Sequence, residues 1–228
     1  METKGLSREG LKLVACITML MDHMGIWLFP SVGLRLVGRI AFPLYCFMLA
    51  EGVEHTRNPR KYGLRLLLVL ILSEIPFDLV VFGRMTLAHQ SVMVTLLLGF
   101  LMLELGKKTD NYLLKILIGI PFILLAEIFR TDYGGHGVLL ILLLSLARGM
   151  EHEGAATALV LLGVSLSMNS IPVPVLGFRI PIEVFSILAM VPLSLYSGRP
   201  VTRSKALQWA FTLFYPAHLA LLALIRFT

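Results

Sequence analysis

Charged residues are scarce in this chain: they make up 15% of its 228 residues, whereas 57% are hydrophobic. Soluble domains carry about one quarter charged residues, so this composition excludes an ordinary soluble domain. The chain also lacks a Ser/Gly-rich linker, a low-complexity tract and an internal repeat, and apolar runs recur along its whole length. We therefore predict a single transmembrane domain over residues 1–228 with an all-α fold, because helices satisfy their backbone groups within lipid.

Cysteine and metal-binding motifs are also scarce. Cys16 and Cys46 are the two cysteines, and both lie in apolar runs, where a free thiol usually packs as a small hydrophobe. They therefore give no indication of an oxidising compartment. The spacings HExxH and CxxC are absent, so we expect no metal. The net charge is +6, but the basic residues are split among many loops, so we expect no nucleic-acid partner.

Long apolar runs are what the sequence has instead. A helix needs about 20 largely apolar residues to cross a bilayer. The runs predict about nine transmembrane helices, near 11–29, 33–52, 62–82, 91–105, 112–129, 136–148, 155–169, 180–196 and 207–226. The fourth, sixth and seventh are short for full spans, which leaves open a count of eight or the presence of re-entrant segments. The first run has no small-residue cleavage site, so we interpret it as a retained helix rather than a signal peptide.

The distribution of basic residues predicts the orientation of these helices. Cytoplasmic loops carry an excess of Lys and Arg. With the N-terminus inside, most of the 20 Lys and Arg residues, Lys4 and Arg203 among them, fall on the cytoplasmic side. We therefore predict a multi-pass protein of the bacterial plasma membrane, with a cytoplasmic N-terminus and an outer C-terminus.

Asp22 and His23 lie in the first predicted span. Placing a carboxylate at bilayer depth costs roughly 2.5–3.5 kcal/mol, so ionisable residues there are candidates for function. The unperturbed pKa of histidine, about 6.5, suits proton transfer near neutral pH. Neighbouring residues point about 100° apart around a helix. We therefore expect Asp22 to pair with Arg35 or Arg39 rather than to orient His23. The alternative for His23 is a histidine that only packs in the core.

Other polar residues of the spans fall toward the predicted outer side. Residues four apart share a helix face, which groups Arg35 with Arg39 and Glu74 with Asp78. If the second and third spans are antiparallel neighbours, two arginines lie beside two carboxylates, as a site or as a structural ion-pair network. A carboxylate from another helix, among Glu74, Asp78 and Asp132, is the expected partner of His23. Glu127 with Arg130 and Arg179 with Glu183 are expected structural pairs.

Several segments also resemble a known family. LKLVACITMLMDHMG, LRLVGRIAFPLYCFMLAEGVEHTRNPRKYGLRL, SEIPFD, TDYGGHGVLLI and FYPAHL, in this order, resemble the TraX family, named for the acetylase of conjugative pilin. The spacing from Lys12 to His23 is similar to the first-helix motif of the wider membrane acyltransferase superfamily. The resemblance covers residues from about 11 to 220 of the chain.

This resemblance implies an acetyltransferase that moves an acetyl group from cytoplasmic acetyl-CoA to an amine or hydroxyl at the outer face, with N-acetylation favoured. It assigns the chemistry to His23, and the acceptor to a peptide, a sugar or a lipid headgroup. Further catalytic candidates are Asp22, Arg39, Glu74, Asp78 and His218. Basic candidates for binding acetyl-CoA are Lys12, Arg57, Lys61 and Arg65. Candidates for binding the acceptor are Arg35, Asp132, Tyr133, His136 and Tyr215.

Two other functions remain open from the residues alone. Chains of carboxylates and histidines also form proton relays, so a proton-coupled transporter is one alternative. The other is a non-catalytic membrane assembly subunit, in which the charged residues only hold helices together.

Overall fold

The computed structural model describes residues 5–175, 177–202 and 204–228. Lys4 and Arg203, used above for the orientation, lie outside the described residues. The elements in chain order are α1 (Arg8–Ile26), α2 (Val32–Gly38), α3 (Ala41–His55), α4 (Pro59–Phe82), α5 (Val92–Gly106), α6 (Tyr112–Ile128), α7 (Gly134–Ala147), α8 (Glu153–Ser167), β1 (Pro172–Val175), β2 (Phe178–Pro181), a 3-10 helix (Ile182–Ala189), α9 (Met190–Ser194) and α10 (Lys205–Phe227).

Polar residues set the starts of several helices. The side chains of Ser7, Ser31, Asn58 and Asn111 each accept a hydrogen bond from a backbone N–H in the first turn that follows. Such caps satisfy N–H groups that have no partner within the helix. The apolar runs therefore become helices close to their predicted positions, and the predicted helical fold is confirmed.

Two helices are long and apolar enough to cross a membrane, judged by length and composition: Val32–His55, which joins α2 and α3, and Lys205–Phe227. On α6, Leu113, Leu117, Ile120 and Leu124 are 46–64% exposed and lie along one side of the helix. A helix face of this kind is typical of contact with lipid. These features indicate a membrane protein, whereas nine spans and a multi-pass topology stay predictions.

The helix predicted at 180–196 is wrong in its first half. The chain forms an antiparallel hairpin with Pro172 opposite Pro181 and Pro174 opposite Arg179, and then a 3-10 helix over Ile182–Ala189. Strand pairing takes up residues 180 and 181, so the helical segment begins only at Ile182. Arg179 is therefore on a strand, and the predicted pairing of Arg179 with Glu183 on one helix face does not occur.

The same prolines remove donors from the free edges of the hairpin. The backbone N–H of Ile182 donates to the carbonyl of Ile171 at 2.9 Å, so this pair is hydrogen-bonded and the next pair, Pro172 with Pro181, is not. Hydrogen-bonded and non-hydrogen-bonded pairs alternate along an antiparallel hairpin, and the residues of a non-hydrogen-bonded pair direct their backbone groups outward. Pro172 and Pro181 form one such pair, and Pro174 and Arg179 form the next. Three of these four outward positions are proline, which blocks the addition of another strand.

Restoring one of these donors is expected to promote self-association. We expect the variant Pro174→Thr to form concentration-dependent dimers or larger species in detergent, because its edge then offers a new N–H group. Light scattering after size-exclusion chromatography measures this. The matched control is Pro200→Thr, an exposed position outside the hairpin. A Pro174→Thr protein that stays in the same oligomeric state as the control contradicts the prediction.

The chain divides into two compact units. Unit 1 contains residues up to Tyr45 together with Gly154–Phe214, and unit 2 contains Cys46–Glu153 and Tyr215–Thr228. In unit 1, α1 packs against α2. In unit 2, α5 packs against α4, α6 and α7. At Gly63 of α4, an added Cβ would lie 2.9 Å from Phe100, so small residues permit the close packing of these helices. The single domain over 1–228 stays a prediction.

Candidate functional site

His23 lies near the end of α1 and is 9% exposed. Its ring is hydrogen-bonded to the backbone carbonyl of Met19, one turn earlier, and it is within electrostatic reach of Arg39. The bond to Met19 requires a protonated ring nitrogen, so in the neutral imidazole the other nitrogen carries the lone pair. A histidine in this state has the chemistry of a general base.

Arg39, which follows α2, is held between two carboxylates of unit 1. Its Nη1 lies 2.9 Å from Oε1 of Glu183, and its Nη2 forms an ion pair with Oδ2 of Asp22. Arg35 is looser, with Nε 4.0 Å from Oδ1 of Asp22. Arg39 and Glu183 are both 7% exposed, so this ion pair is almost fully removed from water. Two carboxylates and two guanidinium groups give a cluster with no net charge.

The predicted pairing of Asp22 with Arg35 or Arg39 is therefore confirmed. The other predicted arrangement, Arg35 and Arg39 beside Glu74 and Asp78, stays a prediction. Glu74 and Asp78 belong to unit 2, where each accepts a backbone hydrogen bond. The pairing of Asp22 with Arg39 arises because α2 turns back directly onto α1.

Gly38 makes this close approach of α1 and α2 possible. A Cβ added at Gly38 would lie 2.8 Å from the backbone Cα of Asp22, and it would also collide with the Asp22 side chain. Such distances are below van der Waals contact, and backbone on the opposing side has little freedom to shift. Glycine at this position therefore allows Asp22 to reach Arg39.

Adding a methyl group at Gly38 is expected to destabilise unit 1. We expect Gly38→Ala to lower the free energy of unfolding by about 1–3 kcal/mol, as in other overpacked interiors. Gly163→Ala is the matched control, because no atom lies within 4 Å of a Cβ at that helical glycine. Thermal unfolding in detergent compares the two variants. Equal midpoints for both variants are the result that contradicts the prediction.

In unit 2, the two carboxylates of α4 hold the loop that follows the helix. Oε1 of Glu74 accepts from the backbone N–H of Ser91 at 3.1 Å, and Oδ2 of Asp78 accepts from that of Thr86 at 2.7 Å. The second oxygen of each group, Oε2 and Oδ1, is buried and accepts no hydrogen bond from the described part of the chain. Each carboxylate thus has a structural role and retains acceptor capacity.

The connection between α6 and α7 is strained and tightly held. Arg130 and Tyr133 both have positive φ, at 50° and 64°, which non-glycine residues rarely adopt. Thr95 Oγ1 donates to the backbone carbonyl of Asp132 at 2.5 Å, and Oε1 of Glu127 accepts from the backbone N–H of Gly135 at 2.7 Å. Strained backbone of this kind tends to occur at functional sites.

Glu127 therefore interacts with the start of α7. A side-chain ion pair between Glu127 and Arg130, as predicted, is not found among the residues that the structure describes. His136 lies in the first turn of α7 and is partly exposed.

Tyr215 and His218 of α10 are both 6% exposed, and their rings are 5.7 Å apart. Tyr215 lies beside Ser91, and the charges of Asp132 and Glu74 act on its phenol. Four elements of unit 2 thus contribute to one polar cluster: α4, the start of α5, the α6–α7 connection and α10. We call Glu74, Ser91, Asp132, Tyr215 and His218 the unit 2 polar cluster.

His89 lies near this cluster in the loop between α4 and α5. Its ring stacks on Phe77 with centroids 6.3 Å apart and meets the edge of Phe82 at 5.7 Å. Burial lowers the pKa of His89, and the nearby carboxylates of Glu74 and Asp78 oppose this shift.

The basic residues predicted to bind acetyl-CoA lie at two places. Lys12 is on α1 in unit 1, with Nζ 5.8 Å from the centre of the Phe211 ring. In unit 2, Arg57, Lys61 and Arg65 are exposed at the start of α4, and the guanidinium of Arg65 lies over the Tyr62 ring at 5.7 Å. A helix N-terminus with several cations suits phosphate groups.

Sequence reasoning missed two residues of these clusters. Glu183 was assigned to a pair with Arg179, and Ser91 was not singled out. The signal for Ser91 is its position directly before the apolar run of α5, which is typical of an N-cap residue. The signal for Glu183 is a carboxylate directly after the proline-rich segment, inside an otherwise apolar run.

Comparisons with known proteins agree with the resemblance. The family model described as TraX protein matches residues 7–226. A probable fimbrial assembly protein FimC, serogroup H1, of Dichelobacter nodosus is 31% identical over 93% of this chain and 92% of its own length. An uncharacterized protein of Rickettsia prowazekii (strain Madrid E), RP591, is 47% identical over 38 residues, 16% of this chain and 15% of its own. No solved structure matches the chain. Because the family model spans almost the entire sequence, the chain belongs to the TraX family.

Proposed function

We propose that this protein is a membrane acetyltransferase that uses acetyl-CoA from the cytoplasm and modifies an acceptor at the outer face. One observation carries the proposal: a buried imidazole, His23, lies within electrostatic reach of a guanidinium that two carboxylates hold in place. Perturbed, buried titratable groups with specific charged neighbours are characteristic of catalytic sites. Membership of the TraX family supports the same reaction class.

In the proposed reaction, His23 takes a proton from the acceptor amine or hydroxyl as that atom attacks the thioester carbonyl. The new bond forms at the carbonyl carbon, and the carbon–sulfur bond of the thioester breaks. The imidazolium of His23 then returns the proton to the departing sulfur, so the products are the acetylated acceptor and the CoA thiol. General base catalysis of this kind typically contributes about 10²–10⁴-fold to the rate.

Arg39 acts electrostatically in this proposal. Both of its terminal nitrogens face carboxylates, at Asp22 and Glu183. Its positive charge stands near the reaction centre and favours the oxyanion that develops on the carbonyl. Arg35, which is 27% exposed, is placed closer to solvent and suits contact with substrate.

For the donor, Lys12, Arg57, Lys61 and Arg65 fit a polyanion chemically, since all carry positive charge. An ordinary positive-inside loop has the same composition. For the acceptor, an amine is favoured over a hydroxyl, because a neutral amine is the stronger nucleophile toward a thioester and His23 takes its proton as it attacks.

The proposal is tested with purified protein in detergent or liposomes. We expect acetyl-CoA to be consumed with release of the CoA thiol, faster in the presence of a peptide amine than of a matched alcohol. Mass spectrometry of envelope components from cells with and without the protein identifies the acceptor through an added acetyl group. Substrate-dependent proton flux in liposomes without acetyl transfer contradicts the proposal and favours a transporter.

A second candidate is a non-catalytic role in assembling a surface filament. The relative from Dichelobacter nodosus, with 31% identity, is described as a probable fimbrial assembly protein. If this role is correct, filament assembly fails in cells that lack the protein but survives replacement of His23. Assembly that follows the acetylation state of the acceptor supports the enzyme instead.

A further inference from the structure

The 3-10 helix over Ile182–Ala189 places Glu183 on a buried face. A 3-10 helix has three residues per turn, so residues three apart lie above one another. Glu183, Ser186 and Ala189 follow this spacing, and they are 7%, 5% and 0% exposed, respectively. These three residues therefore form one buried face of the 3-10 helix, and the carboxylate of Glu183 lies in its first turn. An α-helix over the same residues would rotate successive positions by 100° and would not align these three.

Neighbouring contacts hold this segment on both sides of Glu183. The backbone N–H of Ile182 donates to the carbonyl of Ile171 at the base of the hairpin, and Ile182 itself is 2% exposed. One turn later, the hydroxyls of Ser186 and Ser165 are hydrogen-bonded at 2.8 Å, which ties the 3-10 helix to α8. The Glu183 carboxylate is thus supported by a rigid surrounding rather than by a free loop.

We infer that Glu183 is a positioning residue of the His23 site and that it acts through Arg39. Asp22 holds one terminal nitrogen of the guanidinium through an ion pair. The bond from Nη1 of Arg39 to Oε1 of Glu183, at 2.9 Å, provides the second point and sets the orientation of the positive charge beside His23. This inference rests on the proposed acetyl transfer.

Steady-state kinetics of acetyl transfer separate positioning from substrate binding. We expect Glu183→Gln to lower kcat by about tenfold or more while KM for acetyl-CoA stays within about twofold, because the neutral amide holds Arg39 less firmly while the groups proposed to bind acetyl-CoA are unchanged. Glu183→Asp keeps the charge and is expected to recover part of kcat. The matched control is Glu151→Gln, an exposed carboxylate in a turn, which is expected to leave both constants unchanged.

The double variant Arg39→Gln/Glu183→Gln decides whether Glu183 acts through Arg39. If it does, the double variant has the same kcat as Arg39→Gln alone, because residues that act as one unit are not additive. A double variant in which both losses multiply overturns the inference, and so does Glu183→Gln with wild-type kcat. Wild-type protein that transfers no acetyl group overturns the proposed function itself, which is a different result from either of these.

Discussion

Replacing His23 with alanine is expected to lower the rate of acetyl transfer by about 10²-fold or more, because the proposed reaction loses its general base. Release of the CoA thiol from acetyl-CoA measures the rate. His152→Ala is the matched control, since His152 lies exposed in the turn before α8 and is expected to keep the wild-type rate.

A more conservative replacement of His23 distinguishes loss of the general base from loss of folding. His23→Asn keeps a side-chain N–H that can donate to the carbonyl of Met19, but it has no basic nitrogen. We expect this variant to elute and unfold like the wild type and to be as inactive as His23→Ala. A folded His23→Asn protein with the wild-type rate shows that His23 only packs in the core.

Removing the charge of Arg39 is expected to have the largest effect on stability. The variant Arg39→Met leaves the buried Glu183 and the partly buried Asp22 without their shared cation. Breaking a buried ion pair by removing one partner typically costs about 3–5 kcal/mol, because the remaining charge is uncompensated. Thermal or denaturant unfolding in detergent measures this loss.

Two comparisons test this explanation. Arg179→Met removes an exposed arginine from the hairpin and is expected to change stability little. The double variant Arg39→Met/Glu183→Gln removes one cation and one carboxylate and leaves Asp22 balanced by Arg35, so we expect it to recover most of the lost stability. A double variant that is less stable than Arg39→Met contradicts the account of uncompensated charge.

Local patterns along the sequence predicted most of the helices. Apolar runs were the pattern used, and in the structure Ser7, Ser31, Asn58 and Asn111 cap helices that these runs form. The pairing of Asp22 with Arg39 was also predictable, because helical geometry separates Asp22 from His23 and the next cations along the chain are Arg35 and Arg39. The helix positions and the Asp22–Arg39 pairing both depend on residues close together in the chain, and a single sequence is informative about such short-range relations.

Long-range pairings were not predictable in the same way. Glu183 was expected on an α-helix beside Arg179, because the apolar composition of residues 182–194 does not distinguish a 3-10 helix from an α-helix. Arg39 and Glu183 are 144 residues apart, and no local pattern links them. The unit 2 polar cluster likewise combines four elements, and its loop contacts depend on backbone atoms whose positions only the fold determines.

The separation of Arg39 from Glu183 has a consequence for biosynthesis. Translation adds about 5–20 residues per second, so roughly 7–30 seconds pass between the synthesis of Arg39 and that of its second carboxylate, 144 residues later. During this interval α1 and α2 are already available, and Asp22 is the carboxylate that neutralises Arg39. The charge-balanced form of the cluster is therefore a late product of translation, reached only when the hairpin and the 3-10 helix have left the ribosome.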